Sequence, residues 1–207
     1  MTSNNILDNL KRLKAIADTG LLYSKNEYDT ERYSELYDIS LKLLNEFSGN
    51  SIEELKLSFP PATDYPTAKV DVRGFMLSPD NKILLVREAI DGKWSLPGGW
   101  ADIGQSPTET IIKEFLEETG LDIVPASLLA VFDKRLHAHP PEPFYVYKMV
   151  FQCLPSSFEL RKGFDILDVG YFSVDELPQL SEVRILASQL KLLYNKVTTG
   201  DPLTYFD

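Results

Sequence analysis

Cysteine, histidine and tryptophan are scarce in this chain, and positive charge is outnumbered. Of 207 residues one is cysteine, two are histidine and two are tryptophan, and 21 lysines and arginines face 31 aspartates and glutamates, a net charge of −10. A single cysteine excludes a disulfide framework or a cysteine metal site within one chain; Cys153 sits in the apolar run YVYKMVFQCL and reads as core. No apolar run approaches the ~20 residues a membrane span needs. The opening MTSNNILDNLKRLKAIADTG lacks the basic end and continuous apolar stretch of a secretory signal, so a cytoplasmic protein without membrane contact is the expectation. The acidic balance gives no general attraction for phosphate polymers, which disfavours long nucleic acid as a partner. An anionic small molecule would have to be held by local cations or a bound metal.

What is present is ordinary for a globular protein, 43% hydrophobic and 25% charged, with enough chain for one well-buried domain and a small accessory element. Ile6, Leu10, Leu13 and Ala17 recur at helical spacing, which predicts a helix over Asn4–Thr19 with Gly20 as its stop. Tyr33, Leu36, Tyr37, Leu43, Leu44 and Phe47 predict a second helix over Thr30–Phe47, with Asp29 as cap. Two helices bury little by themselves, so residues 1–50 form a helical element that needs another surface, and a homodimer through it is expected. Residues 51–66, ending in SFPPATDYPT, read as a linker. From residue 67 to 198 short strands take over: KVDVRGFML, KILLVRE, SLLAVFDKR, PFYVYKMVFQC and DVGYFSV, with turns at Pro79-Asp80-Asn81 and Asp91-Gly92. Helices are expected at Pro107–Thr119 and Val183–Asn195, and residues 199–207 read as a tail. Mixed strands with two helices imply an α+β sandwich.

Chemistry concentrates in LPGGWADIGQSPTETIIKEFLEETGLDI, residues 96–123. Ser106-Pro107-Thr108-Glu109 is a capping box with proline at the first helical position, and Gly120 supplies the stop. In the register so set, Glu114, Glu117 and Glu118 share one helix face, while Ile111, Ile112 and Phe115 turn toward a core. An ExxEE pattern alone is usually a solvated face. Gly98-Gly99 just upstream changes the weighting, because glycines let backbone approach a ligand and a carbonyl adds an oxygen donor to the carboxylates that hard divalent cations prefer.

This segment resembles the Nudix box, G-x5-E-x7-R-E-U-x-E-E-x-G-U with U a bulky aliphatic residue. Gly99, Glu114, Glu117, Glu118, Gly120 and Leu121 match it without gaps. Gln105 replaces the first glutamate, Lys113 the arginine and Phe115 an aliphatic residue; a Gln105 to Lys113 hydrogen bond is expected to replace the family's charged contact. With the paired N-terminal helices, VDVRGFML, LLVRE and HPPEPFYVYK, the chain is similar to the subgroup that hydrolyses X-linked nucleoside diphosphates such as ADP-ribose and CDP-choline. The resemblance implies a Nudix-type α/β/α sandwich with a mixed sheet, and a pyrophosphohydrolase that uses Mg2+, or Mn2+ in its place, on a small nucleotide. It implies Glu114, Glu117, Glu118 and the Gly99 carbonyl as metal ligands, with Glu114 and Glu117 also serving catalysis and Glu117 the candidate water-orienting base.

Asp165, in GFDILDVGYF, is the positional match for a further acid from a later loop, against a plain reading as a loop aspartate. Arg73 and Arg87 are candidates to hold the diphosphate, because arginine matches phosphate geometry, although either equally suits a structural ion pair. Trp100 and Trp94 are candidates to stack on a base, with packing the commoner role. His137 and His139 carry no catalytic assignment, and Phe144, Tyr145 and Tyr147 read as strand residues. The alternatives are a nucleotide-sanitising or RNA-end hydrolase with the same metal site and a non-catalytic ligand sensor, the latter supported only by Gln105 and Lys113.

Overall fold

The structure is a computed structural model that describes residues 3–48, 51–58, 65–142 and 144–207. Its chain divides into two compact units, residues 1–68 with 141–145, and residues 69–140 with 146–207.

The first unit is helical. Helix α1 spans Ser3–Tyr23 and α2 spans Glu27–Ser48, and their apolar stripes meet in a core of Leu7, Leu10, Ala17, Tyr37, Leu41, Leu44 and Leu55. Gly20 does not stop α1. A side chain there would overlap the Tyr33 ring, so this glycine is the close-approach point of the two helices, and the chain turns only after Tyr23. The cap of α2 is Asn26, whose Oδ1 accepts from Asp29 N at 2.8 Å, and Asp29 lies inside the first turn. Leu13 and Phe47, which the periodicity assigns to the core, are 38% and 44% exposed.

A third helix, α3 (Ile52–Ser58), occupies the stretch expected to begin the linker. Its signal was local: Glu54 N donates to Ser51 Oγ at 3.2 Å and Ser51 N to Glu54 Oε2 at 2.7 Å, a reciprocal capping box, and Leu55 is buried in the helical core. The remaining linker residues 59–64, including Pro60 and Pro61, lie outside the described residues. Tyr145 also belongs to this unit and not to a strand: its hydroxyl donates to Asp8 O at 2.8 Å and the Lys11 ammonium lies 4.8 Å from its ring centre.

The second unit contains two sheets. One orders its strands β4 (Gly98–Trp100), β1 (Lys69–Phe75), β6 (Val146–Pro155), β5 (Ile123–Asp133) and β8 (Tyr205–Phe206); the other orders β3 (Trp94–Ser95), β2 (Ile83–Glu88) and β7 (Ile166–Phe172). Pairing is mixed: β1 runs parallel to β6 and antiparallel to β4. The short β3, β4 and β8 escape a reading based on runs of β-formers. Strand β4 is the glycine segment itself, and β8, in the stretch read as a tail, runs parallel to β5 with Ala130 opposite Tyr205. Helix α4 spans Pro107–Thr119 and α5 spans Ala187–Thr199. The latter starts four residues later than its periodicity suggests, where Gln189 Oε1 accepts from Leu186 N at 3.1 Å, and runs on to Gly200 at φ 69°.

Two cores result. Phe75, Ile83, Leu85, Phe132, Val150, Leu190 and Leu193 form one. Val72, Met76, Leu84, Ile111, Phe115, Phe151 and Cys153 form the other, which seats α4. Cys153 is core as expected, and burial pushes its thiol up to about 12. Strand β1 is therefore buried on both faces, and that places the charged Asp71 and Arg73 inside.

Candidate active site

The site is organised by α4, whose ends are set by local chemistry. Ser106 Oγ accepts from Glu109 N at 3.2 Å, Glu109 Oε2 accepts from Ser106 N at 2.8 Å, and Gly120 closes the helix at φ 71°, its N–H on Leu116 O. Ile111 and Phe115 anchor the helix in the core, whereas Ile112, expected to join them, is 41% exposed. One residue turns the helix by about 100°, too far for Ile112 to share that stripe.

This orientation makes the three glutamates unequal. Glu118 lies seven residues from Ile111 and shares the buried stripe, at 5% exposure. Stepping to Glu114 and then to Glu117 turns about 40° and a further 60° away from it, so Glu114 is half-buried and Glu117 exposed. Glu118 Oε2 accepts from Gly98 N at 2.9 Å. Glu114 lies against Gly99, where a Cβ would sit 2.7 Å from Oε1. Gly98, at φ 136°, has its own requirement: a side chain would overlap Val72 O and come within 2.9 Å of Arg73 Cα. Both glycines are thus needed for the carboxylates to rest on backbone.

Burial, reinforced by Glu88 and Glu114, pushes the Glu118 carboxyl up to about 8 against the opposing pull of Arg73 and the Gly98 N–H. Burial also raises Glu114, opposed by Arg73 and aided by Glu117 and Asp165. The Asp165 charge thus reaches Glu114. The loop that carries this aspartate is tied to the otherwise unpaired last carbonyls of α4: Arg161 N donates to Thr119 O at 2.9 Å and Gly163 N to Glu118 O at 3.1 Å. Among the described residues no three histidine, cysteine or acidic side chains converge closely enough to enclose an ion by themselves. The donor set nonetheless fits a hard divalent cation. Carboxylates whose charge is penalised by burial and mutual repulsion would be relieved by it, and Mg2+ keeps waters and substrate oxygens among its ligands.

Several expected contacts resolve differently. Lys113 Nζ lies 3.5 Å from Asp102, and Gln105 Oε1 is buried without a partner, so the Gln105–Lys113 bond does not form. Arg73 is 6% exposed and faces inward: Nε donates to Asp71 Oδ1 and Nη1 to Leu96 O, both at 2.9 Å. Of the two roles expected for Arg73, these surroundings favour the structural ion pair. Arg87 is exposed on β2, in the other sheet, with Nε donating to Gly92 O at 2.7 Å. Trp100 is 48% exposed at the end of β4, with the Lys69 ammonium 5.4 Å from its ring centre. Trp94 packs edge-on to Phe172.

Sequence reading missed the charges around Arg73. Asp71 also pairs with Lys148, which is only 1% exposed. Burial works to raise Asp71, but Arg73 and Lys148 overcome it and hold the carboxyl low; burial brings Lys148 down to about 8 despite Asp71. Glu88 extends the group, accepting from Ser95 Oγ at 2.7 Å and pairing with Arg184 at 3.1 Å. A signal existed: Asp71, Arg73 and Phe75 alternate onto one face of β1, and Lys148 interrupts an apolar strand.

Comparison with known proteins bears on the whole chain. Residues 67–193 match a family model described as the NUDIX domain, and residues 4–59 match one described as a UDP-X-like, N-terminal oligomerisation domain. YjhB of Bacillus subtilis (strain 168), provisionally named an ADP-ribose pyrophosphatase, is 41% identical over 201 residues, 97% of this chain and 96% of that protein. A crystal structure of a UDP-X diphosphatase covers all of both chains at 37% identity with a TM-score of 0.63. An ADP-ribose pyrophosphatase from Streptococcus suis 89-1591, also 37% identical, covers 68% of this chain and all of its own with a TM-score of 0.61.

Proposed function

The chain belongs to the Nudix hydrolase family as a pyrophosphohydrolase with a helical N-terminal element, and from that premise we propose that it is a metal-dependent enzyme acting on a nucleoside diphosphate linked to a second group X, yielding a nucleoside monophosphate and phosphorylated X. ADP-ribose and CDP-choline are the substrates we put first. The observation that carries the reading is the seating of Glu118 and Glu114 on the Gly98–Gly99 backbone. Matches over nearly the whole chain to proteins named for linked nucleoside diphosphates support X-linked substrates over nucleoside triphosphates.

In this reading Glu114, Glu117, Glu118 and the Gly99 carbonyl hold Mg2+ or Mn2+. The metal, when bound, neutralises diphosphate charge and lowers the pKa of water. Glu118, deepest and tied to Gly98 N, is the fixed ligand. Glu117, the exposed member, is free to orient a water and take its proton, with Asp165, whose charge acts on Glu114, as the candidate second acid. Arg87 and Trp100 are the exposed side chains assigned to the diphosphate and to a base or X.

The matched N-terminal element also supports a homodimer, for which the exposed Leu13 and Ile16 of α1 supply apolar surface. Light scattering of the full chain tests this, and a monomer at micromolar concentration removes it.

The function is tested by monophosphate release from ADP-ribose, CDP-choline, a UDP-sugar, NADH and nucleoside triphosphates with Mg2+. We expect turnover of one linked diphosphate, reduced on the order of 10²–10³-fold by Glu118→Gln. Preference for triphosphates would favour a sanitising role, and tight binding without turnover would favour a sensor.

A further inference from the structure

We infer that Arg73 is a positioning residue: from inside the sheet it holds the Ser95–Gly99 segment on which Glu118 and Glu114 rest, and it does not contact substrate. The inference rests on the preceding assignment of those glutamates as metal ligands.

The guanidinium is fixed in plane by two acceptors on different segments, Asp71 Oδ1 and Leu96 O, with longer 3.5 Å approaches to Ser95 Oγ and Glu88 Oε1. Leu96 leads directly into Pro97-Gly98-Gly99. Pro97 O is held by Gly74 N at 2.9 Å, and Arg73 itself faces Gly98 in the β1–β4 register. The Arg73 side chain also lies against Gly98, its Cδ 3.1 Å from where a Cβ would stand. A displacement of Arg73 therefore moves the Gly98 N–H, which is the anchor of Glu118. Asp71 in turn is held by Lys148, so the arginine cannot swing outward without leaving a buried carboxylate under-compensated. A buried ion cluster is weak evidence for stability, since well-packed apolar residues often serve as well. Its geometric value is that the planar fork bridges Asp71 and the Leu96 carbonyl, which an ammonium cannot reproduce.

The experiment compares wild type with Arg73→Lys and Asp71→Asn, the second loosening the arginine while leaving it in place. Three quantities are read: kcat and KM for the linked nucleoside diphosphate that the wild type turns over, Mn2+ affinity without substrate by electron paramagnetic resonance, and thermal unfolding. Supporting residues of a metal site change affinity or activity by about 10–100-fold. We expect Arg73→Lys to lower kcat and Mn2+ affinity within that range, with KM held to about a factor of two and no rescue by the retained charge. Asp71→Asn should give the same pattern more weakly.

A raised KM with unchanged kcat and Mn2+ affinity would overturn the inference in favour of direct phosphate contact. Folded variants with all three parameters unchanged would overturn it in favour of mere packing. Should Arg73→Lys fail to fold, Asp71→Asn carries the decision on the same criteria. If the wild type turned over no linked diphosphate yet bound Mn2+, the functional reading would fall while weakened Mn2+ binding in the variants still upheld Arg73's role. No Mn2+ binding by the wild type would remove both.

Discussion

Both units of this protein bury charge, and they do so by different means. In the helical unit Lys14 and Asp18 stand four apart on α1, 2.7 Å from each other, with the Lys14 ammonium 5.0 Å from the Tyr37 ring centre. In the sheet unit Asp71, Arg73, Glu88, Lys148 and Arg184 are gathered from strands and a loop far apart in sequence. The first arrangement centres on an ion pair between neighbouring turns of one helix; the second exists only once several strands are in register. A local pair can be removed as a unit. A distributed cluster leaves charges behind whenever one member is taken away, and the site built over it inherits that sensitivity.

The largest expected effect comes from cutting the distributed cluster. Lys148→Met leaves Asp71 with one cation in place of two, and we expect a loss on the order of 3–5 kcal/mol in urea unfolding; a loss below 1 kcal/mol would show the cluster to be as expendable as the helical pair. Next is Gly98→Ala, which forces a side chain into Val72 O at a left-handed φ. Turnover should fall by about 10²-fold, as misplacing catalytic groups by an ångström does. Gly99→Ala should cost less, about 10-fold, since it displaces the carboxylate end of Glu114 and leaves the Val72 and Arg73 backbone and the Glu118 anchor in place. Equal losses would mean that the Glu118 anchor has no special weight.

A smaller effect of opposite sign is expected in the helical unit. There the double change Lys14→Leu/Asp18→Leu removes both charges together, along with Asp18 Oδ1, which is buried without a partner. Stability should be unchanged or raised by about 1–4 kcal/mol, and a loss would show that the pair has a structural role beyond its helix.

The smallest effect near neutral pH is set by protonation. His139 is buried, its Nδ1 donating to Glu182 O at 2.5 Å and its Nε2 without a partner. Burial pulls it down to about 4 from an ordinary 6.5, against the bond to Glu182. The unfolded chain therefore takes up the proton first as pH falls. The contribution of His139 should be full above 6.5 and decline toward 4, by at most about 1.4 kcal/mol per pH unit. Urea midpoints of wild type and His139→Asn across that window would check it, the variant losing this part of the slope.

The same contrast explains what could be read in advance. Helix α4 was legible to its end residues, because its capping box, its proline and its terminal glycine act within a few residues of one another. The Ser51–Glu54 box of α3 is equally local, and the proline-rich stretch after it masks the short helix in the sequence. Gly20 misled because its reason lies in Tyr33, on the next helix. The burial of Arg73 was not legible because β1 is buried on both faces, so alternation along it does not distinguish a solvent side from a core side. Gln105 and Lys113 suggested each other by their family positions, yet Lys113 turns to Asp102, and nothing in the structure explains the lone Gln105 Oε1.

By itself the sequence determined the two-helix start, the capped helix with three glutamates in one register, and the glycines upstream of it, since each follows from hydrogen bonds and periodicity within about four residues. The tertiary structure alone decided that Glu118 is deep, Glu114 intermediate and Glu117 exposed, and that Arg73 serves the backbone beneath them. Those outcomes depend on contacts between segments 20, 23 and 77 residues apart, and contacts at that separation leave no periodic trace in the chain.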